Sequence, residues 1–338
     1  MSSQTALEVL EFTRGKIMIL TSKLKSILGY IPTRIINQIL RSTRDRLIIA
    51  RIAKMASEYP SFLGGVDTEL FVPTQFGFSM YCDRKDVIGS SIIYEGQWEP
   101  LLSKTIAAYL REGDVAIDIG ANMGYDTLLM SHIVGKGGLV IAFEPELNNL
   151  NRLLKNVLVN SCNNIVLQSV ALSDVSGRSE ILCPPEYNLG QANMRPSSDG
   201  RSLPILTARL DQVLNSTDFD RIKLLKMDVE GYEYKVLKGM GNLLDRVDSL
   251  TCEINHDFLK ACGSSEKEIF DVLHAHGFSS YCAGFEEAGS WKSGDHAFEP
   301  KIKRAQGVAY DTLFVRGRPP ELAELLECPS SAELRSAH

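Results

Sequence analysis

One stretch of ten residues, Val115-Ala116-Ile117-Asp118-Ile119-Gly120-Ala121-Asn122-Met123-Gly124, constrains this chain more than any other. An apolar run ends at Asp118-Ile119, two glycines bracket a turn, and a helical pattern follows. A second apolar run, Leu139-Val140-Ile141-Ala142-Phe143, then ends on Glu144. Strand, glycine turn, helix, strand and acid in that order predict an open parallel α/β sheet, whose ligands sit beyond the carboxyl ends of the strands. Gly120 and Gly124 permit a tight turn and a close backbone approach that a Cβ would block. Glu144, 24 residues past Gly120, stands at the tip of the neighbouring strand, where a carboxylate accepts hydrogen bonds from ribose hydroxyls.

This spacing points to an adenosine-containing cofactor. A dinucleotide is disfavoured, because its fingerprint is G-x-G-x-x-G. Here Asn122 and Tyr125 occupy the second and third glycine positions, so a pyrophosphate would meet side chains where it needs bare backbone. S-adenosyl-L-methionine has no phosphate and fits better. The expected cofactor residues are Asp118, Gly120, Asn122, Gly124 and Glu144.

The apolar periodicity predicts an α/β fold: a Rossmann-like sheet of about seven strands with helices on both faces. Strands are expected at 115–119, 138–143, 164–170, 222–227, 248–254, 278–282 and near 310–315. The helices between them are expected at 124–134, 146–160, 231–240 and 265–276. Ahead of this core come a hairpin around Pro73 and Gly77, an extended piece Ser91-Ile92-Ile93-Tyr94 and a helix over 99–110. The expected division is a helical N-terminal extension (1–65), a main domain (66–317, cofactor core 113–282) and a C-terminal tail (318–338). The proline-bearing insert 178–208 and the 60–100 region are expected to shape the acceptor pocket. Trp98 is expected to anchor the hairpin.

Charge is uneven. Residues 1–60 hold ten Lys/Arg against four Asp/Glu, a balance of +6, so the rest carries −12 of the net −6. An acidic body disfavours a nucleic-acid partner. The basic N-terminal part is read as a helical cap, with a membrane-peripheral amphipathic region as the alternative. No apolar run reaches the ~20 residues of a membrane span. Seven scattered cysteines without a C-x-x-C pair suit reduced thiols in a cytoplasmic protein and no zinc site.

Seven blocks in order resemble the FkbM family of S-adenosylmethionine-dependent methyltransferases. They are Gly96-Gln97-Trp98-Glu99-Pro100, Ile117–Tyr125, Ala142-Phe143-Glu144-Pro145, Ala171-Leu172-Ser173-Asp174, Arg209-Leu210-Asp211, Lys226–Gly231 and Cys252-Glu253-Ile254-Asn255. Two departures are the Ala208-Arg209 pair before Leu210-Asp211 and residues 1–65, which match nothing in the pattern. The resemblance implies that loop 120–124 faces the methionine portion and that Ser173 and Asp174 meet the adenine ring. It also implies a hydroxyl acceptor on a sugar, a glycolipid or polysaccharide precursor, or a polyketide. A protein or RNA acceptor and an inactive methyltransferase-fold binding module are the alternatives.

Transfer to a hydroxyl needs an aligned nucleophile and a base facing the methyl group. Candidates are the acids and the histidine at the ends of the fourth and fifth core strands: Asp228 first, then His256, with Glu230 and Glu253 beside them. Three hard oxygen ligands, Asp228, Glu230 and Glu253, would suit magnesium or calcium. Nothing in the sequence demands a metal, and none is expected.

Overall fold

The computed structural model describes residues 69–182, 192–194, 202–215, 219–283, 291–293 and 309–316. The expected N-terminal extension and C-terminal tail lie outside them. Strands β1 (Glu69–Pro73) and β2 (Ser79–Asp83) form the expected antiparallel hairpin. Helices α1 (Val87–Glu95) and α2 (Pro100–Tyr109) follow. The stretch 91–94, expected to be extended, is therefore helical. Asp86 caps the N-terminus by accepting from the Gly89 amide, and Gly96 closes the C-terminus at a φ of 73°. Two good caps outweigh the local β-preference of Ile92-Ile93-Tyr94.

The core runs β3 (Val115–Ile119), α3 (Tyr125–Val134), β4 (Leu139–Phe143), α4 (Leu147–Val159) and β5 (Ile165–Gln168). A small excursion follows: β6 (Ala171–Leu172), β7 (Gly177–Leu182), β8 (Ser202–Ala208) and the single turn α5 (Leu210–Val213). The chain re-enters the sheet at β9 (Ile222–Met227) and continues through α6 (Glu233–Met240), a 3₁₀ segment (Gly241–Arg246), β10 (Val247–Ile254), α7 (His256–Ala261) and α8 (Glu266–Ala275). Strands β11 (Phe278–Ala283), β12 (Trp291–Ser293) and β13 (Tyr310–Arg316) complete it.

The main sheet has eight strands in the order β12-β11-β13-β10-β9-β3-β4-β5. The seven expected strands are all present, and the short β12 adds one. Ladders from β5 through β10 are parallel, whereas β13 runs antiparallel to both β10 and β11. The chain builds β3, β4 and β5 outward in one direction, then restarts at β9 on the other side of β3. The strand order thus reverses between β3 and β9, and a crevice opens there at the carboxyl ends.

Alternation along the central strands feeds two cores. Ile117, Ile141 and Leu225 pack with α6 and α8 residues such as Val236 and Phe270. Ala116, Val140 and Leu224 pack on the opposite face with Leu128 of α3, Leu153 of α4 and Ile106 of α2. The excursion forms a separate three-stranded sheet, β6-β8-β7, whose β7 and β8 fall at the short strands that the sequence suggests over 179–183 and 203–207. The expected strand over 164–170 is correspondingly shorter, since β5 ends at Gln168 and β6 joins the other sheet. Among the described residues no helix is long and apolar enough to cross a membrane.

Candidate active site

The crevice between β3 and β9 opens into a cavity at the strand ends, lined by residues of both halves of the sheet and of the flanking segments. Gly120, Asn122, Glu144, Asp228, Glu230 and Glu253, all singled out from the sequence, line it. The two segments expected to shape the acceptor pocket reach it as well, through Trp98 and Glu99 on one side and Ile181 and Asn193 on the other.

The glycine turn works differently from its sequence expectation. At Gly120 (φ +82°) an added Cβ would stand 1.8 Å from the Asp228 carbonyl oxygen, and at Gly124 (φ +95°) 2.3 Å from Leu153 Cδ1. The bare faces of both glycines are filled by protein, not left for a ligand. The loop amides are also taken. Gly120 and Ala121 donate to the Phe143 carbonyl at 3.0 Å, and Gly124 donates to the Ala121 carbonyl. Asn122, at a φ of 49°, donates its amide to Glu144 Oε2 at 2.7 Å. The turn therefore braces β3 against β9 and β4, and the cavity is presented with side chains.

Glu144 is 4% exposed. Its Oε1 accepts from the Glu146 amide at 2.8 Å, and the Asn122 amide fixes the other oxygen. Burial pushes its carboxyl up to about 7, although the two amide hydrogen bonds pull the other way. Each oxygen keeps a lone pair beyond its amide partner.

Lys226 is the feature the sequence expectation missed. It lies inside the apolar strand β9, 6% exposed, in register with Asp118 on β3. Its ammonium is 3.7 Å from Asp118, 3.5 Å from Asp126 and 3.6 Å from Asp228, and it donates to the Gly120 carbonyl at 3.4 Å. Burial alone would lower the lysine pKa, but the carboxylates of Asp118, Asp228, Asp126 and Glu99 hold it well above its usual value. A lysine in an otherwise buried strand is the sequence signal that points to such a network. Asp118, expected to touch cofactor, is fully buried beneath the loop, held by Thr127 at 2.5 Å and by Lys226. It is absent from the cavity lining.

In the loop after β9 a third acid takes the capping role. Glu233, not Asp228 or Glu230, accepts from the Val229 and Gly231 amides at 3.2 and 3.1 Å. Glu230 takes a φ of 55°. Carboxylate oxygens of Asp228, Glu230 and Glu253 lie within 4.8 Å of one another, a set able to hold a metal ion. Glu99 and Asp311, neither of them anticipated, belong to the same electrostatic group. Burial pushes Glu253 well above the usual carboxylate range, with Asp228, Glu230, Asp311 and Glu99 adding to it.

Three expected residues lie elsewhere. Asp174 pairs with Lys238 at 2.9 Å, which holds its carboxyl below its ordinary value. Ser173 donates to Asp174 at 3.2 Å, and neither lines the cavity. The apolar wall formed by Phe143, Val170, Leu172 and Ile181 offers a flat ring a surface instead. His256, exposed at the first position of α7, does not line the cavity either.

A family model described as the methyltransferase FkbM domain matches residues 118–280, the span from Asp118 through β11. Over that span the chain is similar to the FkbM methyltransferase family. A second model, protein-L-isoaspartate(D-aspartate) O-methyltransferase, matches residues 46–174 and ends before β9.

Two relatives are similar to this chain. Hexuronic acid methyltransferase AglP of Haloferax volcanii is 31% identical over 162 residues, covering 48% of this chain and 62% of that protein. The 31-O-demethyl-FK506 methyltransferase FkbM of Streptomyces tacrolimicus is 28% identical over 199 residues, covering 50% of this chain and 74% of that protein. The chain thus spans less than two thirds of the haloarchaeal relative. A SAM-dependent O-methyltransferase from Thermotoga maritima superposes with a TM-score of 0.37 at 13% identity, over 78% of this chain and 82% of that one, a likeness too loose to carry an argument. S-adenosylmethionine is the cofactor of this family. The buried, amide-fixed Glu144 and the apolar wall beside it fit its ribose and its ring.

Proposed function

We propose that this chain is an S-adenosylmethionine-dependent O-methyltransferase acting on a hydroxyl of a sugar, a glycolipid or polysaccharide precursor, or a polyketide. One observation carries the reading. Glu144 and Asp228 line a single cavity from either side of β3, so a nucleoside held at one is directed toward the other. The acceptors in the relatives' names, a hexuronic acid and 31-O-demethyl-FK506, support the acceptor class.

In this reading Glu144 accepts hydrogen bonds from the ribose hydroxyls, and Phe143, Leu172 and Ile181 enclose the adenine. The bound cofactor supplies an electrophilic methyl on a sulfonium. Asp228 is the base: Lys226 fixes one carboxylate oxygen at 3.6 Å, and the side chain remains 33% exposed toward the cavity. Glu230 and Glu253 position the acceptor. The turn Gly120–Gly124 keeps the ends of β3 and β9 together, which holds Glu144 and Asp228 at a fixed separation. We place the protein in the cytoplasm, with residues 1–65 as an extension of the domain at 66–317 and with membrane-peripheral contact as that extension's alternative role.

Calorimetry with S-adenosylhomocysteine tests the cofactor half. Glu144→Ala is expected to weaken binding by about tenfold or more, the value of a lost hydrogen bond to a charged group; unchanged affinity would discard the ribose assignment. For the acceptor half, labelled methyl from S-adenosylmethionine is followed into the small-molecule fraction of a cell extract. A methyl ether survives mild alkali, whereas a methyl ester does not. Base-stable label that disappears in Asp228→Asn supports the proposal. Base-labile label, or label confined to protein, would shift the reading to carboxyl methylation.

A further inference from the structure

Carboxylates from three separate elements line the far end of the cavity, and a fourth stands beside them outside its lining. Asp228 ends β9 and Glu253 lies on β10. Asp311 of β13 is the direct ladder partner of Glu253, and Glu99 sits between α1 and α2 at a φ of 41°. Like charges directly opposite in an antiparallel ladder are destabilising, and burial sharpens the repulsion. Among the described residues none of the Glu99, Glu253 and Asp311 carboxylates has a hydrogen-bond or ion-pair partner. A separate observation concerns Asp126, which is 6% exposed and also lines the cavity. Its Oδ1 has no hydrogen-bond partner.

Lys226 is the one cation among the described lining residues, and three aspartates already surround it. A sulfonium donor adds a single positive charge. Burial and mutual repulsion hold Glu99 and Glu253 well above the usual carboxylate range and push Asp311 up to about 7, so a second cation entering beside them would draw the group into its charged form. This end of the cavity is distinct from the ribose end, because β10 lies three strands from β4, about 14 Å at ordinary strand spacing. Trp98 borders the same cavity, adding a ring face that attracts both sugars and cations.

We propose that this carboxylate bowl receives an ammonium group on the methyl acceptor, which makes the acceptor an amino-bearing polyol such as an amino sugar. The inference rests on the reading of the cavity as a methyl-transfer site and narrows its substrate class. A uronate would bring a further negative charge into the bowl. A neutral sugar would bring no positive charge to these acids.

Calorimetry on the full chain saturated with S-adenosylhomocysteine, at pH 7, uses glucosamine, glucose and glucuronate as probes. Glucosamine is expected to bind about tenfold more tightly than glucose, the value of a charge-assisted hydrogen bond, and glucuronate most weakly. Glu99→Gln and, separately, Asp311→Asn should bring glucosamine toward the affinity of glucose while leaving S-adenosylhomocysteine binding intact, which also certifies the fold. Equal affinities for glucosamine and glucose, undetectable glucosamine binding, or a preference for glucuronate would overturn the proposal. So would magnesium that binds alone and displaces glucosamine, which would make the bowl a metal centre. Failure of S-adenosylhomocysteine itself to bind would refute the donor reading, and this proposal with it.

Discussion

Glu144 joins two requirements at one carboxylate. Amides of Asn122 and Glu146 hold its oxygens, while burial pushes its carboxyl up to about 7. Ribose hydroxyls donate to the charged form, so a proton competes with the cofactor. The sign follows directly: below pH 7 the carboxyl is increasingly protonated and affinity falls, approaching tenfold per pH unit, while above about 7.5 it is flat. Titrating S-adenosylhomocysteine into the protein between pH 5.5 and 8.5 should show that slope, and Glu144→Gln should bind weakly with no slope. A wild-type affinity that does not change with pH would contradict this account of the residue. Glu144 and Asp228 were legible in the sequence because each ends an apolar strand, where side-chain direction is fixed by the ladder. Glu99 and Asp311 were not, since only the pairing of β13 against β10 brings Asp311 opposite Glu253, and pairing across that distance leaves no local pattern.

At the scale of elements, one backbone contact decides the site. The end of β3 and the loop after β9 approach so closely that Gly120 has no room for a side chain. Gly120→Ala should therefore lose roughly 3 kcal/mol of stability, the sum of a left-handed alanine and an overpacked contact. Gly113→Ala is the matched comparison: its φ is +87° but nothing lies within 4 Å of the added Cβ. It should lose only about 1 kcal/mol. Urea denaturation of the two variants separates the terms, and equal losses would remove the close approach as the cause. The seven core strands were legible because their apolar runs are longer than any competing signal. Helix α1 was misread because Ile92-Ile93-Tyr94 favours strand locally, and the deciding groups, Asp86 and Gly96, lie outside that triplet. The turn before α6 shows the same limit. The expected helix start at 231 gives way to Glu233, whose side chain takes the Val229 and Gly231 amides.

Across the whole molecule, buried acids give the fold a pH dependence opposite to that of a protein held by surface ion pairs. Glu144 and Glu233 are both pushed up to about 7, and Asp126 to about 6, each first by burial. All three are less than a tenth exposed. An acid whose folded pKa is raised binds its proton more tightly in the native state than in the unfolded one. Between about pH 4.5 and 7 the folded chain therefore holds more protons, and stability must fall as pH rises through that window before levelling above it. Exposed Asp245, whose carboxyl is held below its usual value chiefly by His276, acts in the other direction only at lower pH, and solvent weakens its effect. The unliganded protein should thus melt roughly 5 °C or more higher at pH 5.5 than at pH 7.5. Glu144→Gln should narrow that gap, because a neutral amide no longer responds to pH. Saturating S-adenosylmethionine should narrow it from the other side, by binding the charged form of Glu144 and stabilising the fold most at pH 7.5. A melting temperature that rises from pH 5.5 to 7.5 in the unliganded protein would mean that these carboxyls are ionised in the native state. The charge network around Lys226 would then have to be stable with every acid charged.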